Sequence, residues 1–201
     1  MMSNKKVAIV TGGNGGYGAG IAEVFKREGA DVYITGRNEE KLHTTAERLG
    51  VKAIRADVQH AADWDMVFET VLKESGSVDF LINNAGGGIN KAHLSEISDE
   101  DVIACVTINL TGVILGSKRA AVIMKERGTG TIVNISSVVA REAWPGWAVY
   151  SAAKGGLDQI HEMFVWRITA VWCPRHPDHP LLGTNRFHGQ RQPAHPGQRN
   201  P

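Results

Sequence analysis

Short apolar runs alternate with amphipathic segments along most of the chain. Near-continuous apolar runs at 6–11, 31–36, 52–55, 78–83 and 130–136 predict strands. Apolar positions at helical spacing predict helices over about 17–28, 39–49, 62–74, 99–127 and from 149 onward. Buried apolar strands that alternate with helices are typical of a parallel sheet covered on both faces. The pattern therefore predicts a doubly wound α/β domain with strand order 3-2-1-4-5 and a ligand crevice at the carboxyl ends of the strands.

A glycine-rich turn follows the first strand and opens the first helix. Its residues, from Thr11 to Gly18, read TGGNGGYG. Gly12 would permit a tight turn, Gly16 would let the backbone approach a pyrophosphate, and Gly18 would let the helix pack on the strand. A turn of no consequence would not need an apolar strand before it and an amphipathic helix after it. We therefore predict a dinucleotide-binding turn, with phosphates at the helix N-terminus.

Tyr150 and Lys154 lie four residues apart on the last predicted helix, so their side chains share one face. A phenol normally titrates near ~10 and is a poor acid or base at neutral pH. A fixed cation nearby favours the phenolate and lowers that pKa, which makes a tyrosine useful for proton transfer. Ser137 follows the fifth strand thirteen residues upstream of Tyr150, and the topology brings it to the same crevice.

From about Lys5 to about Gln159, the motifs resemble, in order, those of the short-chain dehydrogenase/reductase family. The matching segments are Thr11-Gly12-x-x-x-Gly16-x-Gly18, Asp57-Val58 and Asn83-Asn84-Ala85-Gly86, followed by Asn109, Ser137, Tyr150 and Lys154. The resemblance implies a Rossmann-like NAD(P)-dependent oxidoreductase acting on a carbonyl or secondary alcohol. Two departures are that Tyr17 stands where an aliphatic residue is usual, and that Gly87-Gly88 lengthens a glycine run.

The resemblance also implies roles for individual residues. Tyr150 would exchange a proton with the substrate oxygen, Lys154 would hold the nicotinamide ribose, and Ser137 would bond the substrate oxygen. Asn109 would anchor a water that links Lys154 to solvent. Ser137 could instead simply cap a turn, and Asn109 could be bonded to nearby backbone. The expected coenzyme contacts are Gly12, Asn14, Gly16, Tyr17, Gly18, Arg37, Asp57, Val58, Asn84, Tyr150 and Lys154.

The end of the second strand bears on the choice of coenzyme. NAD-preferring sites place an acidic residue here to bind the ribose 2′-hydroxyl, whereas an arginine accommodates the 2′-phosphate. Gly36 occupies the acidic position and Arg37 follows it. A guanidinium can bind a phosphate through two parallel hydrogen bonds, which favours NADP, with NAD still possible. The alternative is that Arg37 is only a solvated residue before the next helix.

Two tryptophans lie between Ser137 and Tyr150. Trp144 and Trp147 flank Pro145-Gly146, in the segment that the resemblance assigns to the substrate pocket. They could form an apolar wall of that pocket, or they could only pack a turn onto the domain. Both interpretations stay open at this stage.

Composition sets the broad class. The 201 residues carry a net charge of +1, so nothing indicates nucleic acid or an anionic membrane as a partner. No apolar run approaches the roughly 20 residues of a membrane span. The two cysteines, Cys105 and Cys173, form neither a disulfide framework nor a metal spacing, so we expect a cytoplasmic protein without a metal site. The family is usually homo-oligomeric.

The composition changes abruptly near residue 160. Residues 161–201 hold five of the eight histidines, six of the seven prolines and no lysine, and their net charge is +3. Prolines break helices and central strands, so we expect little regular structure after about residue 173. We divide the chain into an incomplete coenzyme-binding domain, 1–160, and an unstructured tail, 161–201, that does not resemble the family. A metal site formed by the tail histidines and a disordered peptide ligand are the alternatives.

The tail leads to three further expectations. It would originate in a reading-frame change or a mis-set gene end. Residues 167–171 resemble a sixth strand only faintly, so the fifth strand would be left at a sheet edge, where exposed backbone invites aggregation. A shortened final helix would also weaken the family's oligomer interface. The alternative function is therefore a catalytically impaired nucleotide-binding fragment.

Overall fold

One parallel sheet forms the centre of the molecule. The structure is a computed structural model, and it describes residues 5–88, 91–142, 144–164 and 169–173. Its strands are β1 (Val7–Thr11), β2 (Asp31–Gly36), β3 (Lys52–Arg55), β4 (Phe80–Asn83), β5 (Thr131–Ile135) and β6 (Thr169–Cys173). Neighbouring strands pair in parallel in the order β3-β2-β1-β4-β5-β6. The predicted doubly wound order 3-2-1-4-5 is confirmed.

Helices cover both faces of the sheet. They are α1 (Gly16–Arg27), α2 (Glu39–Leu49), α3 (Ala61–Ser75), α4 (Asp99–Val106), α5 (Gly112–Arg127) and α6 (Ala148–Phe164). One π-helical turn, Thr107–Thr111, joins α4 to α5, so the predicted helix 99–127 is continuous but widened in the middle. Short 3-10 turns at Leu94–Glu96 and Val138–Ala140 complete the described elements.

Two apolar clusters, one on each side of the sheet, hold these layers together. Alternate residues of the central strand β1 enter opposite clusters, and all five of its residues are buried. One cluster joins the strands to α3 and α5 through Trp64, Phe68 and Met124, and the other joins them to α1 and α2 through Ala22 and Leu42. Burial on both faces explains why the strands read as near-continuous apolar runs.

The sixth strand corrects one expectation. β6 pairs with β5 over five residues, from Thr131 opposite Thr169 to Ile135 opposite Cys173. The prediction that the sixth strand is missing and leaves β5 at the sheet edge is therefore wrong. Regular structure also continues beyond the proposed domain boundary at residue 160, through the end of α6 and β6. The remainder of the expected tail lies outside the described residues.

One helical segment is long and apolar enough to span a membrane by length and composition alone, namely Asp99–Arg127. No continuous apolar run predicts this, because polar and charged residues interrupt the segment. The segment is built into the domain, because Val113, Ala120 and Met124 are buried and the last two belong to the apolar cluster under α3. We therefore treat it as a helix of the folded domain.

Candidate active site

The glycine turn is tied to the end of β4 by a buried threonine. The Thr11 hydroxyl accepts hydrogen bonds from the backbone N–H groups of Asn84 (3.0 Å) and Ala85 (2.9 Å), and it donates to the carbonyl of Ile82 (3.3 Å). In return, Asn84 Nδ2 donates to the carbonyls of Thr11 (2.8 Å) and Gly12 (3.3 Å). These bonds hold the carboxyl ends of β1 and β4 together and fix the shape of the turn. Asn84 thus supports the predicted coenzyme turn from within.

Gly18 lies where the first helix approaches that turn most closely. A Cβ at this position would collide with the carbonyl oxygen of Gly12 and would lie 2.6 Å from Asn84 Nδ2. This is the helix packing role that the sequence suggested for Gly18. Gly12 has φ +64°, in the left-handed region, as the tight turn requires.

The outer side of the turn is open. No described atom lies within 4 Å of a Cβ built on Gly15 or on Gly16, and Tyr17 is 60% exposed at the start of α1. Backbone N–H groups in the first turn of a helix have no partner within the helix. The open N-terminus of α1 therefore fits a pyrophosphate, which needs both space and backbone donors.

The carboxyl end of β2 lies beside this turn. The backbone N–H of Gly13 donates to Thr35, and the Asn14 side chain packs against Gly36, where a Cβ would lie 3.3 Å from its Cγ. Arg37 is exposed, and within the described part of the chain no hydrogen bond or ion pair holds its guanidinium. An arginine in this state is available to a ligand.

Asp57 and Val58 follow β3 in the bend before α3. The Asp57 carboxylate accepts from the Gln59 backbone N–H at 3.0 Å and from its side chain at 3.2 Å. The buried Val58 carbonyl accepts from Trp64 Nε1 at 2.9 Å. Both residues shape this bend at the end of the strand. Their predicted adenine-side contact stays a prediction.

Tyr150 lies on the first turn of α6 with little exposed surface. Its side chain is 8% exposed and packs in a small cluster with Cys105 and Val139. The Trp147 ring lies 5.3 Å from the Tyr150 ring, at an interplanar angle of 57°. Such tilted contacts are favourable for aromatic pairs. The phenol is therefore held by packing on several sides.

Lys154, one turn along α6, is almost completely buried at 1% exposure. Its ammonium donates to the carbonyl of Ile135, at the end of β5, over 2.8 Å, and lies 5.8 Å from the centre of the Tyr150 ring. Burying an ammonium removes its hydration shell, and a hydrogen bond to a neutral carbonyl offsets that loss only in part. A lysine at this place is therefore costly for stability alone, and it is directed at the tyrosine as the spacing predicted.

Asn109 is fully buried in the π-helical turn. Its Nδ2 donates to the carbonyls of Cys105 and Gly87, each at 2.9 Å, and its Oδ1 accepts from the Gly87 N–H at 3.0 Å. The bond to nearby backbone that the sequence left open is present, and the bonds to Gly87 reach across to the loop after β4. A Cβ on Gly86 would lie 2.6 Å from Asn109 Oδ1 and 3.5 Å from Lys154 Nζ. Asn109 and Lys154 therefore converge on this loop.

Ser137 is 7% exposed directly after β5, at the start of the 3-10 turn. Its hydroxyl makes no capping bond to that turn. The alternative that Ser137 only caps a turn is therefore wrong. Neighbouring Ser136 instead bonds the Lys154 carbonyl and Asp158, at 3.4 and 3.5 Å, which joins β5 to α6.

Sequence reasoning left three contributors out of the predicted site. Thr11 belongs to the matching motif but had no predicted role, although its place directly before Gly12 could have indicated one. Trp147 was left undecided, and it packs against both Tyr150 and Gly88, where a Cβ would lie 2.5 Å from its ring. Lys91 was not considered, and its ammonium lies 4.9 Å from the centre of the Trp147 ring. No sequence pattern signals these last two contacts.

This fold and this arrangement of residues occur in a known protein family. The family model described as short chain dehydrogenase matches residues 6–165. The chain belongs to the short-chain dehydrogenase family. The match covers β1 to α6, and thus every residue of the predicted site.

Relatives of this chain include an uncharacterized oxidoreductase of Mycobacterium bovis, 37% identical over 155 residues, which are 75% of this chain and 62% of the relative. An NADP-dependent (R)-specific alcohol dehydrogenase of Lentilactobacillus kefiri is 34% identical over 157 residues, covering 76% and 62%. The chain thus spans about three fifths of the length of these relatives.

Solved structures of short-chain dehydrogenases superpose on this one. One from Streptomyces avermitilis matches with a TM-score of 0.79 at 30% identity, covering 85% of this chain and 65% of that one. A metagenomic short-chain oxidoreductase in complex with NADP matches with a TM-score of 0.79 at 28% identity, covering 83% and 80%.

Proposed function

We propose that this protein is an NAD(P)-dependent oxidoreductase that interconverts a carbonyl and a secondary alcohol. The observation that carries the proposal is the buried Lys154 ammonium, which lies 5.8 Å from the centre of the Tyr150 ring and donates to the Ile135 carbonyl at the end of β5. Binding a nucleotide through Lys154 does not require a phenol beside that lysine, whereas proton transfer does. This observation favours an enzyme over an impaired nucleotide-binding fragment.

Each residue has a task in this reaction. The bound nicotinamide coenzyme supplies the hydride for reduction or accepts it in oxidation. Tyr150 donates its phenolic proton to the carbonyl oxygen during reduction, and the Lys154 charge stabilises the phenolate that remains. The Ser137 hydroxyl, which does not cap the adjacent turn, donates to the same oxygen and stabilises the charge that develops on it.

Asn109 keeps this arrangement in place. Its two bonds to the Gly87 backbone fix the loop that carries Gly86 and Gly87 beside Lys154, and its bond to the Cys105 carbonyl holds the Asn109 side chain in place. We propose that protons reach Lys154 past this loop through a water held at Asn109. A loop that moved would change both the environment of the lysine and access to it.

We further propose that the coenzyme is NADP. Arg37 is exposed and has no partner within the described residues, directly after Gly36 at the end of β2. A free guanidinium suits a phosphate dianion, whereas a ribose hydroxyl would favour an acidic residue at this place. The relative from Lentilactobacillus kefiri, described as NADP-dependent, supports this proposal.

The decisive test removes the phenolic proton. Tyr150→Phe keeps the ring contact with Trp147, so we expect NADPH-dependent reduction of a panel of ketones to fall at least 100-fold, because proton transfer contributes about 10²–10⁴ in rate. The thermal shift that NADPH produces should remain. Tyr33→Phe is the matched control, because the Tyr33 hydroxyl bonds Glu74 and Ser75 at the end of α3 and not a residue of the predicted site. Retained turnover in Tyr150→Phe would refute the function.

A further inference from the structure

Trp147 connects two loops above the predicted catalytic tyrosine. Its ring lies 5.3 Å from the Tyr150 ring and also occupies the space above Gly88, where a side chain would collide with it. Gly146 lies next to Ala92, with a built Cβ 3.7 Å from the Ala92 backbone. The loop after β4 and the segment before α6 therefore meet beside Tyr150, and Trp147 is the contact between them.

Lys91 also contacts this tryptophan. Its ammonium is 4.9 Å from the centre of the Trp147 ring, and its residue is exposed. Within the described ranges, no carboxylate forms an ion pair with Lys91. By contrast, Arg141, in the segment between Ser137 and Trp147, is paired with Asp158 at 3.3 Å. Lys91 thus places a positive charge against the Trp147 ring, which in turn contacts the Tyr150 ring. Within the described residues no carboxylate pairs with this charge.

We propose that Lys91, held on Trp147, is a specificity-determining residue that selects carbonyl substrates carrying a carboxylate a few atoms from the reacting carbon. This inference rests on the proposed function, since it takes Tyr150 as the group that meets the carbonyl. The aromatic ring restrains the lysine through a cation–π contact, so a substrate carboxylate meets an oriented ammonium.

Trp147 also explains why the site tolerates an exposed cation. The charged end of Lys91 lies over the Trp147 ring. A lysine side chain combines an apolar stem with that charge. A useful variant must preserve the apolar stem and remove the charge, and Lys91→Met does so.

The experiment compares matched neutral and anionic substrates. Initial rates with NADPH are measured for pyruvate, 4-oxopentanoate and 6-oxoheptanoate, each beside its methyl ester, at low and high salt. We expect the wild-type protein to prefer the acid for at least one chain length. Lys91→Met should lower kcat/KM for that acid about fivefold, as expected for a single exposed ion pair, and leave its ester unchanged. High salt should reduce the preference, because exposed charges are screened.

Two further variants complete the design. Lys91→Arg retains the cation and should keep the preference. Lys118→Met removes an exposed lysine from α5 and should change neither substrate. Equal losses on acid and ester in Lys91→Met, or a wild-type protein that does not distinguish them, would overturn the inference.

Calorimetric binding of the same oxo acids to the NADPH complex separates this inference from the proposed function. Turnover without dependence on Lys91 refutes the inference and leaves the function standing. Binding that depends on Lys91, without turnover of any substrate, refutes the function and supports the anion site. If the oxo acids neither bind nor react while the esters or other ketones are reduced, the inference fails and the function stands. If no ketone, ester or oxo acid is reduced, the function fails as well.

Discussion

At the residue scale, Gly18 and Gly20 of helix α1 have opposite surroundings. Gly18 faces the Gly12 carbonyl, with which a Cβ would collide, whereas Gly20 is exposed with no described atom within 4 Å of a built Cβ. Gly18→Ala should therefore destabilise the protein by about 2 kcal/mol through overpacking. Gly20→Ala should stabilise it by about 0.5–1 kcal/mol, because alanine is the better helix former.

Urea unfolding of both variants measures this difference. The substitution is chemically identical and lies in the same helix, so intrinsic helix propensity cancels between the two. Equal stability of Gly18→Ala and Gly20→Ala would contradict the close approach of α1 to the glycine turn at Gly18.

The charge of Arg37 belongs to the same scale. Arg37→Asp places a carboxylate where the 2′-phosphate of NADP would lie, so repulsion should weaken NADPH binding at least tenfold. NADH should bind equally well or better, because a carboxylate can accept from the ribose hydroxyl. Thermal shifts with each coenzyme measure the ratio, and Arg48→Asp, at the far end of α2, is the control. An unchanged ratio would contradict the assignment of NADP.

At the scale of elements, Asp79 joins three of them. Its buried carboxylate, just before β4, accepts from the Val7 N–H at 2.9 Å, from Lys6 at 3.0 Å and from Arg127 at 3.4 Å. Burial alone would raise the pKa of Asp79, but the bonds from the Val7 N–H and from Lys6 outweigh it and hold that pKa below its usual range. The carboxylate fastens the start of β1 and the end of α5 to the sheet.

Asp79→Asn should lower the free energy of unfolding at pH 7 by about 2 kcal/mol, since it removes charge-assisted hydrogen bonds. The folded pKa lies below the unfolded one, so the stabilisation is present above about pH 4 and is lost as the pH falls through the folded value. The variant should therefore show a flatter decline in stability below pH 4.

Urea unfolding between pH 2 and pH 7 tests both parts. Asp65→Asn is the control, because Asp65 pairs with Arg119 on the surface and should lose less stability at pH 7. An Asp79→Asn profile parallel to that of the wild-type protein would show that Asp79 is not the group responsible.

The elements also show what sequence reasoning can reach. The helix positions and the positions of β1, β2, β4 and β5 followed from the apolar pattern, because both faces of the sheet are covered at these strands. The interruption at Thr107–Thr111 was not predictable, since a π-helical turn changes backbone hydrogen bonds and not the apolar pattern. Likewise, the spacing of Tyr150 and Lys154 is local and readable, whereas the approach of Trp147 and Lys91 depends on two loops meeting in space.

At the scale of the whole molecule, β6 takes the edge position of the described sheet from β5. Residues 167–171 resemble a sixth strand only faintly in the sequence, yet α6 ends at Phe164 and β6 begins at Thr169. Pairing with β5 over five residues covers a strand that contains Ile132, Val133 and Ile135. An unpaired strand of this composition would be a template for association.

A pair of shortened chains tests this role. A chain ending after Cys173 keeps β6, and one ending after Phe164 removes it while retaining every residue of the predicted site. We expect the longer chain to remain monodisperse in light scattering and to be stabilised by NADPH. The shorter chain should aggregate and unfold at a lower urea concentration, because the β5 backbone loses its partner. If the two chains behaved alike, β6 would be dispensable, and the sheet would be stabilised by its first five strands and the helices packed on them.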